Sequence, residues 1–136
     1  MVRLSKSLRR LLVAVGILAI VGVVAFIGYQ QLSETADYAP LIGKWVRPDG
    51  GYVLDIKSID SGGNIKMTYL NPKPINVSKA QANLKSGKIE LFIELRDKNY
   101  PGNYYTLTFD TESNRLVGVY YHLGLNQNFD VYFASR

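Results

Sequence analysis

Few side chains of this sequence could carry out chemistry, and their spacing brings no reactive group together. His122 is the single histidine and cysteine is absent, which excludes disulfides, thiolate metal sites and a lipid-modified cysteine. Without a second histidine or a cysteine, a conventional zinc site is not expected. Glu90 and Glu94 share one face of a predicted strand, but by alternation this is the outer, solvated face. We therefore predict no catalytic residue, no metal, no cofactor and no enzymatic activity.

A second group of polar side chains falls in loops, where it could bind a small molecule. The loops 47–50, 71–74, 97–103 and 124–127 hold four of the five prolines, which stiffen a loop by fixing φ. Rigid polar loops on a barrel often bind ligands, although longer hairpin loops without a function would have the same composition. No serine lies in these loops to pair with the histidine. The candidate mouth residues are Arg47, Lys73, Asp97, Tyr100 and His122.

Apolar residues on the outer phase of strands five to eight predict a surface for another protein. Solvated strands normally place polar residues on this face. Contiguous apolar surface that contains tyrosine is typical of partner-binding sites. Cover by the linker or by a membrane surface is the alternative interpretation. The outer face consists of Phe92, Tyr104, Val117, Val119, Tyr121 and Tyr132, together with Ala134.

These candidate sites require an all-β domain that begins after Pro40. From Leu41 onward apolar residues recur with a period of two, and turn signals follow about every ten residues. Short connections favour an eight-stranded antiparallel up-and-down barrel, because closure removes exposed strand edges. A change of phase in the fourth strand predicts a β-bulge near Ser78. The predicted strands are 41–47, 51–59, 64–70, 74–84, 88–96, 103–110, 115–123 and 128–134.

The phases of the last three strands predict a register. A loop at 111–114 places Asp110 opposite Arg115 and Leu107 opposite Gly118, and a loop at 124–127 places Gly118 opposite Phe133. Gly118 would then make room for bulky neighbours in the core. The predicted inner face consists of Tyr105, Leu107, Phe109, Leu116, Gly118, Tyr120, Phe129, Val131 and Phe133.

The first predicted strand opens with Gly43-Lys44-Trp45, which resembles the G-x-W start of lipocalin-type and avidin-like (calycin-type) β-barrels. The resemblance covers three residues and implies that Trp45 packs across one end of the barrel. It does not imply biotin binding, because the biotin-contacting residues of avidin have no counterpart in this sequence. The segments 50–54, 94–97 and 100–102 are also similar to small uncharacterised bacterial membrane-anchored proteins, a family that implies no known activity.

A run of nineteen residues, 11–29, has no charged or strongly polar side chain. As an α-helix it would be roughly 28 Å long, close to the ~30 Å hydrocarbon core of a bilayer. The run exceeds the usual length of a signal-peptide core, and no A-x-A-like cleavage site follows it. We therefore predict a basic segment at 1–10, a retained transmembrane helix at 11–29, a linker at 30–40 and the β-domain at 41–136.

The formal net charge of +5 belongs mostly to the N-terminus. Four of the sixteen basic residues precede Leu11, whereas all eleven acidic residues follow Gln31. The part after the helix is nearly neutral, so a nucleic-acid partner is not expected. The positive-inside rule predicts a cytoplasmic N-terminus and an extracytoplasmic β-domain. In a Gram-negative bacterium these locations are the inner membrane and the periplasm.

Small residues occur at every third position of the predicted membrane helix and trace a groove around it. Such a groove lets another transmembrane helix approach closely, although Gly and Ala are also simply common in membrane helices. The groove residues are Gly16, Ala19, Gly22, Ala25 and Gly28.

Taken together, the patterns predict a non-catalytic, single-pass membrane accessory protein whose β-barrel docks on other subunits of a membrane complex. The alternative is a lipocalin- or avidin-like barrel that binds a small molecule or a lipid in its mouth.

Overall fold

The structure is a computed structural model that describes residues 5–31 and 35–136, with side chains described for 5–20 and 35–136. It divides into two compact units, Met1–Thr35 and Ala36–Arg136. Helix α1 (Lys6–Gln31) covers the predicted apolar run. It begins after Ser5, whose Oγ accepts a hydrogen bond from the backbone N–H of Leu8 (3.3 Å) and so caps the helix. In the described ranges, no helix was found to be long and apolar enough to cross a membrane.

Two of the predicted groove residues, Gly16 and Ala19, belong to the part of α1 with described side chains. A Cβ atom added at Gly16 would meet nothing within 4 Å. Gly22, Ala25 and Gly28 fall in the range 21–34, which lies outside the described side chains. Docking of another helix at this groove stays a prediction.

The second unit is an antiparallel β-sheet that curls into a nearly closed barrel. Neighbouring strands follow the order β4-β3-β2-β1-β9-β8-β7-β6-β5, so the last strand pairs with the first, as an up-and-down barrel requires. The strands are β1 (Gly43–Arg47), β2 (Tyr52–Ile59), β3 (Ile65–Asn71), β4 (Lys73–Ile75), β5 (Val77–Lys85), β6 (Lys88–Asp97), β7 (Tyr100–Asp110), β8 (Arg115–His122) and β9 (Gln127–Ser135).

The predicted number of eight strands is wrong, because the fourth predicted strand divides at Asn76 into β4 and β5. Asn76 leaves the ladder: its side-chain amide donates to the backbone oxygen of Arg96 (3.0 Å), and its backbone N–H donates to Asp97 (2.8 Å). As a result β4 pairs with β3, whereas β5 pairs with β6. The predicted bulge near Ser78 is confirmed, since the register against β6 shifts between Val77 and Lys79.

The barrel has a seam between β3 and β5, where a continuous ladder is absent from the described residues. One bridge, between Asn64 directly before β3 and Gln81 of β5, joins the two sides. The backbone N–H of Ala82 also donates to the backbone oxygen of Gly63 (2.7 Å). Gly63 has φ +80°, and a Cβ atom there would overlap the backbone oxygen of Ala82. Glycine is therefore required both for the conformation and for the close approach of the two chain segments.

The predicted register is confirmed for β7 and β8, where Asp110 pairs with Arg115 and Leu107 with Gly118. It is wrong by two residues for β8 and β9, where Gly118 pairs with Val131 rather than Phe133. The cause is the connection: a 3-10 turn at Leu123–Leu125 and a left-handed Asn126 (φ 50°) let the ladder begin at the pair 122–127. A shift of two residues preserves the faces of a strand, so Val131 and Phe133 are buried as predicted. The prediction is wrong for Phe129, which lies near the start of β9 and is 37% exposed.

Apolar side chains fill the barrel interior, and a cleft of about 1150 Å³ that borders Pro40, Ile89 and Phe109 opens at the end opposite the predicted mouth. Trp45 is buried, packs edge-on against Phe109 (5.9 Å between ring centroids) and donates from Nε1 to the backbone oxygen of Leu41 (2.9 Å). The buried apolar residues are Leu41, Trp45, Leu54, Ile56, Tyr69, Ala82, Leu91, Ile93, Leu95, Tyr105, Leu107, Phe109, Leu116, Val131 and Phe133.

Gly118 provides a test of this packing. A Cβ atom there would overlap the backbone oxygen of Thr106, so we expect Gly118→Ala to destabilise the barrel by roughly 1–3 kcal/mol, as overpacking does. Thermal unfolding of the full chain in mild detergent, followed by circular dichroism, measures the effect. Gly124→Ala is the matched control, because its nearest neighbour is a side-chain atom of His122 at 3.4 Å. Equal melting temperatures for both variants would contradict the packing of β8.

Candidate functional site

A cleft of about 420 Å³ opens at the end of the barrel where the proline-containing loops meet. The chain reaches this end at the C-termini of β1, β3 and β8 and at the N-termini of β2 and β7. Half of the ten tyrosines of the chain line the cleft, namely Tyr52, Tyr69, Tyr100, Tyr105 and Tyr120. Its other polar lining residues are Arg47, Asn71, Lys98, Asn99, Asn103 and His122.

Three of the five predicted mouth residues, Arg47, Tyr100 and His122, line this cleft. Lys73 lies on β4 with its side chain exposed, outside the lining. Asp97 also lies outside, because its carboxylate accepts the backbone N–H groups of Asn76 (2.8 Å) and Lys98 (2.7 Å). These hydrogen bonds lower the pKa of Asp97. Asp97 therefore secures the loop around the cleft rather than facing it.

Arg47 is the most strongly constrained group of the cleft. Its Nε and Nη2 donate to the two carboxylate oxygens of Asp49 (2.6 and 2.9 Å), and its Nη1 donates to the hydroxyl of Tyr105 (3.2 Å). Burial alone would lower the pKa of Arg47, but the hydrogen bond to Asp49 and the interaction with Tyr105 raise it overall. The same ion pair lowers the pKa of Asp49. The guanidinium is therefore permanently charged and fixed in direction.

Tyr69 and Tyr105 form the floor of the cleft. Their hydroxyls are 2.9 Å apart in a buried hydrogen bond, and their ring centroids are 5.9 Å apart. Burial raises the pKa of Tyr105 to about 12, although the hydrogen bond to Tyr69 and the charge of Arg47 lower it in part. Burial also raises the pKa of Tyr69. Both hydroxyls consequently stay neutral at physiological pH.

Amide side chains hold the rim. Asn103 is buried, donates to the hydroxyl of Tyr120 (2.8 Å) and accepts the backbone N–H of Leu123 (3.0 Å). Asn71 donates to the hydroxyl of Tyr100 (2.6 Å). Across the described residues, no buried side-chain nitrogen or oxygen lacks a partner. The buried polar groups of the cleft are thus held in defined positions, whereas Lys98 and Asn99 are exposed at its rim.

His122 takes a structural part in this rim. Its Nδ1 accepts the backbone N–H of Leu125 (3.2 Å), and its ring meets Tyr120 edge-on at 6.2 Å. This acceptor role assigns the ring a proton on Nε2. In the part of the chain that the structure describes, no cluster of three His, Asp or Glu side chains suits a metal ion.

Several lining residues were not predicted as a site. Alternation predicts Tyr105 and Tyr120 as core residues, and it does not single out Tyr52, Tyr69, Asn71 or Asn103 for binding. A signal was present in the sequence: these tyrosines alternate inward near the strand ends that face the polar loops. A buried tyrosine hydroxyl needs a partner, so inward tyrosines near such loops indicate a polar mouth rather than a uniformly apolar core.

The predicted outer-face residues lie on the other side of the sheet and stack on one another. Phe92 packs on Tyr104 (5.3 Å between ring centroids), which packs on Tyr121 (5.0 Å). Phe92, Tyr104, Val119 and Tyr121 are half-buried, whereas Val117 and Tyr132 are 43% and 39% exposed. The guanidinium of Arg115 lies over the ring of Tyr132 at 4.7 Å.

A scan against protein-family models, a search of curated proteins and a search of solved structures found no match to this chain. The resemblance at Gly43-Lys44-Trp45 therefore stays a prediction, and the site is interpreted from its geometry.

The raised pKa of Tyr105 predicts a loss of stability in alkali. The folded barrel keeps this hydroxyl protonated up to about pH 12, whereas the unfolded chain releases the proton near the ordinary pKa of 10.0. The stabilising effect is fully present below pH 10 and is lost as the pH rises towards 12. We expect the unfolding free energy of the native chain to fall more steeply over this range than that of Tyr105→Phe. Urea unfolding at a series of pH values measures the slopes, with Tyr132→Phe as the control at an exposed position. Equal slopes for native chain and Tyr105→Phe would be inconsistent with this environment.

Proposed function

We propose that this chain is a membrane-anchored, non-catalytic binding protein whose barrel mouth receives a small organic molecule. The observation that carries the proposal is the cleft of about 420 Å³, in which hydrogen bonds hold the buried polar groups Arg47, Tyr105 and Asn103 in fixed positions. Its volume falls within the range of roughly 300–1,000 Å³ that is usual for small-molecule sites. Pre-organised donors favour binding because little side-chain entropy remains to be lost.

The chemistry of the lining supports binding rather than catalysis. No serine, cysteine or carboxylate lines the cleft within the described part of the chain. The Nδ1 atom of His122 already accepts the backbone N–H of Leu125, so this nitrogen is not available to take a proton from a substrate. Arg47 and the tyrosines Tyr69 and Tyr105 hold their protons at neutral pH. Groups that neither accept nor release protons are suited to recognition.

Membrane anchoring is supported by the sequence and by the exposed apolar side chains of helix α1. The uncharged run 11–29 lies within α1. In the described part of α1, Leu11, Val13 and Leu18 are each more than half exposed in that unit. Since successive positions differ by about 100° around a helix, apolar residues cover its sides, which is typical of a membrane segment or a fully buried helix. The basic residues before the run favour a cytoplasmic N-terminus and an extracytoplasmic barrel.

Docking of the barrel on other subunits is the second candidate function. Exposed Val117 and Tyr132 at the outer face favour it. It ranks second because Phe92, Tyr104 and Tyr121 cover one another, which reduces the apolar surface left for a partner.

Native mass spectrometry of the full chain, extracted from membranes in mild detergent, tests the leading proposal. We expect an intact mass that retains residues 1–29, together with a small organic molecule that is released on unfolding. Asn71→Leu should lower the retained fraction, because it removes the amide that orients the Tyr100 hydroxyl. Asn83→Leu, at an exposed amide of β5, is the matched control. A mass that begins near residues 33–37 would contradict the anchor, and a chain without a bound molecule would contradict the ligand site.

The double variant Val119→Ser with Tyr121→Lys tests the docking candidate. At an interface it would lose apolar contact and bury an unpaired charge, on the order of 2–5 kcal/mol, which weakens association more than tenfold. We expect only a modest loss of barrel stability, because both side chains point away from the core. The size of the detergent-extracted complex and the melting temperature are measured on the same variant. Loss of stability with an unchanged complex would count against docking at this face.

A further inference from the structure

Charge is unevenly distributed in the mouth cleft. Arg47 and Lys98 line it, whereas none of its described lining residues is acidic. Asp49 does contact Arg47, but it approaches from the loop between β1 and β2 and is not part of the lining. The lining itself therefore carries positive charge, of which the carboxylate of Asp49 offsets a part at Arg47.

Arg47 is held so that part of its guanidinium remains available. Its side chain is 12% exposed, and its guanidinium carbon lies 4.3 Å from the ring centroid of Tyr52 and 5.8 Å from that of Tyr120. The bonds to Asp49 and Tyr105 use three N–H groups. A guanidinium carries five, so two N–H donors remain without a partner among the described residues. Because Asp49 and the rings fix the plane, these donors have a set direction.

Flat aromatic surfaces surround this charge. The rings of Tyr52 and Tyr69 are stacked, with 16° between their planes, and the rings of Tyr105 and Tyr120 lie 4.6 Å apart. Aromatic rings favour offset or edge contacts with other planar rings. Tyr69 and Tyr105 are fully buried, so the half-buried rings of Tyr52, Tyr100 and Tyr120 are the ones that a ligand can reach. A ligand that combines a planar ring with an anionic group would complement both features of the cleft.

We propose that the mouth binds a small organic anion whose oxyanion group accepts hydrogen bonds from Arg47 and whose planar ring packs against the tyrosines. This inference rests on the proposed function and specifies its ligand class. Asp49 is a positioning residue, since it orients the guanidinium without entering the cleft. Lys98, on the exposed hairpin between β6 and β7, adds electrostatic attraction at the rim.

The test uses three probes on the full chain in detergent: benzoate, its neutral analogue benzamide, and inorganic phosphate. Isothermal titration calorimetry should show benzoate binding at least about tenfold more tightly than the other two, and more weakly as salt is added. Arg47→Gln should reduce benzoate affinity at least about tenfold. Arg115→Gln is the matched control, because that arginine also lies over a tyrosine but on the outer face, and it should leave the affinity unchanged.

Lys98→Gln keeps the test decisive if Arg47→Gln fails to fold. Its side chain is exposed, so the barrel should melt normally while benzoate affinity falls about two- to fivefold and depends less on salt. Equal binding of benzoate and benzamide, or no effect of Lys98→Gln and of salt, overturns the anion inference. Phosphate binding as tightly as benzoate overturns the role of the tyrosine rings. Absence of benzoate binding overturns the inference as a whole, whereas the proposed function fails only if native mass spectra also show no retained molecule.

Discussion

A line of hydrogen bonds from Tyr69 through Tyr105 and Arg47 to Asp49 constrains the half of the barrel that lies next to the mouth. It connects β3 and β7 with β1 and the loop that follows β1, and these three parts of the chain are far apart in the sequence. Each buried hydroxyl left without a partner would cost about 1–3 kcal/mol, so the barrel can close only in an arrangement that satisfies all of them. The tyrosines thereby specify the geometry of the mouth as well as contributing buried area.

The opposite end of the barrel follows a different principle. Leu41, Trp45 and Phe109 fill it with apolar contacts, and the Tyr38 hydroxyl reaches the backbone oxygen of Ala82 (3.4 Å). Close packing buries these side chains, whereas directional hydrogen bonds at the mouth hold rings apart and leave space between them. The interior therefore changes from a packed core to an open polar cleft along the barrel axis. This gradient explains how a small barrel can be filled and still offer a site.

Alternation was sufficient to predict the all-β architecture, because a period of two reports directly which residues face inward. It was also sufficient for the register of β7 and β8, because the four-residue loop between them is compatible with a single pairing of the two strands. It was insufficient for β9, because the 3-10 turn at Leu123–Leu125 and the left-handed Asn126 depend on contacts with His122 and Tyr121. The division at Asn76 depends on Arg96 and Asp97, which local patterns do not report. Alternation indicates the inward tyrosines, but not the hydrogen bonds that join Tyr69, Tyr105 and Arg47. Alternation predicts which residues form the outer face, but it does not predict that the rings of Phe92, Tyr104 and Tyr121 pack on one another.

The seam at Gly63 and Ala82 makes the resistance of the barrel to opening uneven. Most neighbouring strands are joined by continuous ladders, and β1 pairs with β9 at two positions. At the seam, Asn64, directly before β3, and Gln81 of β5 form one bridge, and Ala82 donates to Gly63. Local opening costs least where the fewest contacts must be broken, so transient fluctuations will concentrate at this line. The seam runs towards Asn71 and Ile75, which border the cleft. The side of the mouth at Asn71 and Ile75 is therefore the one where local opening meets the least resistance, whereas Arg47 lies on β1, which β2 holds through five residue pairs.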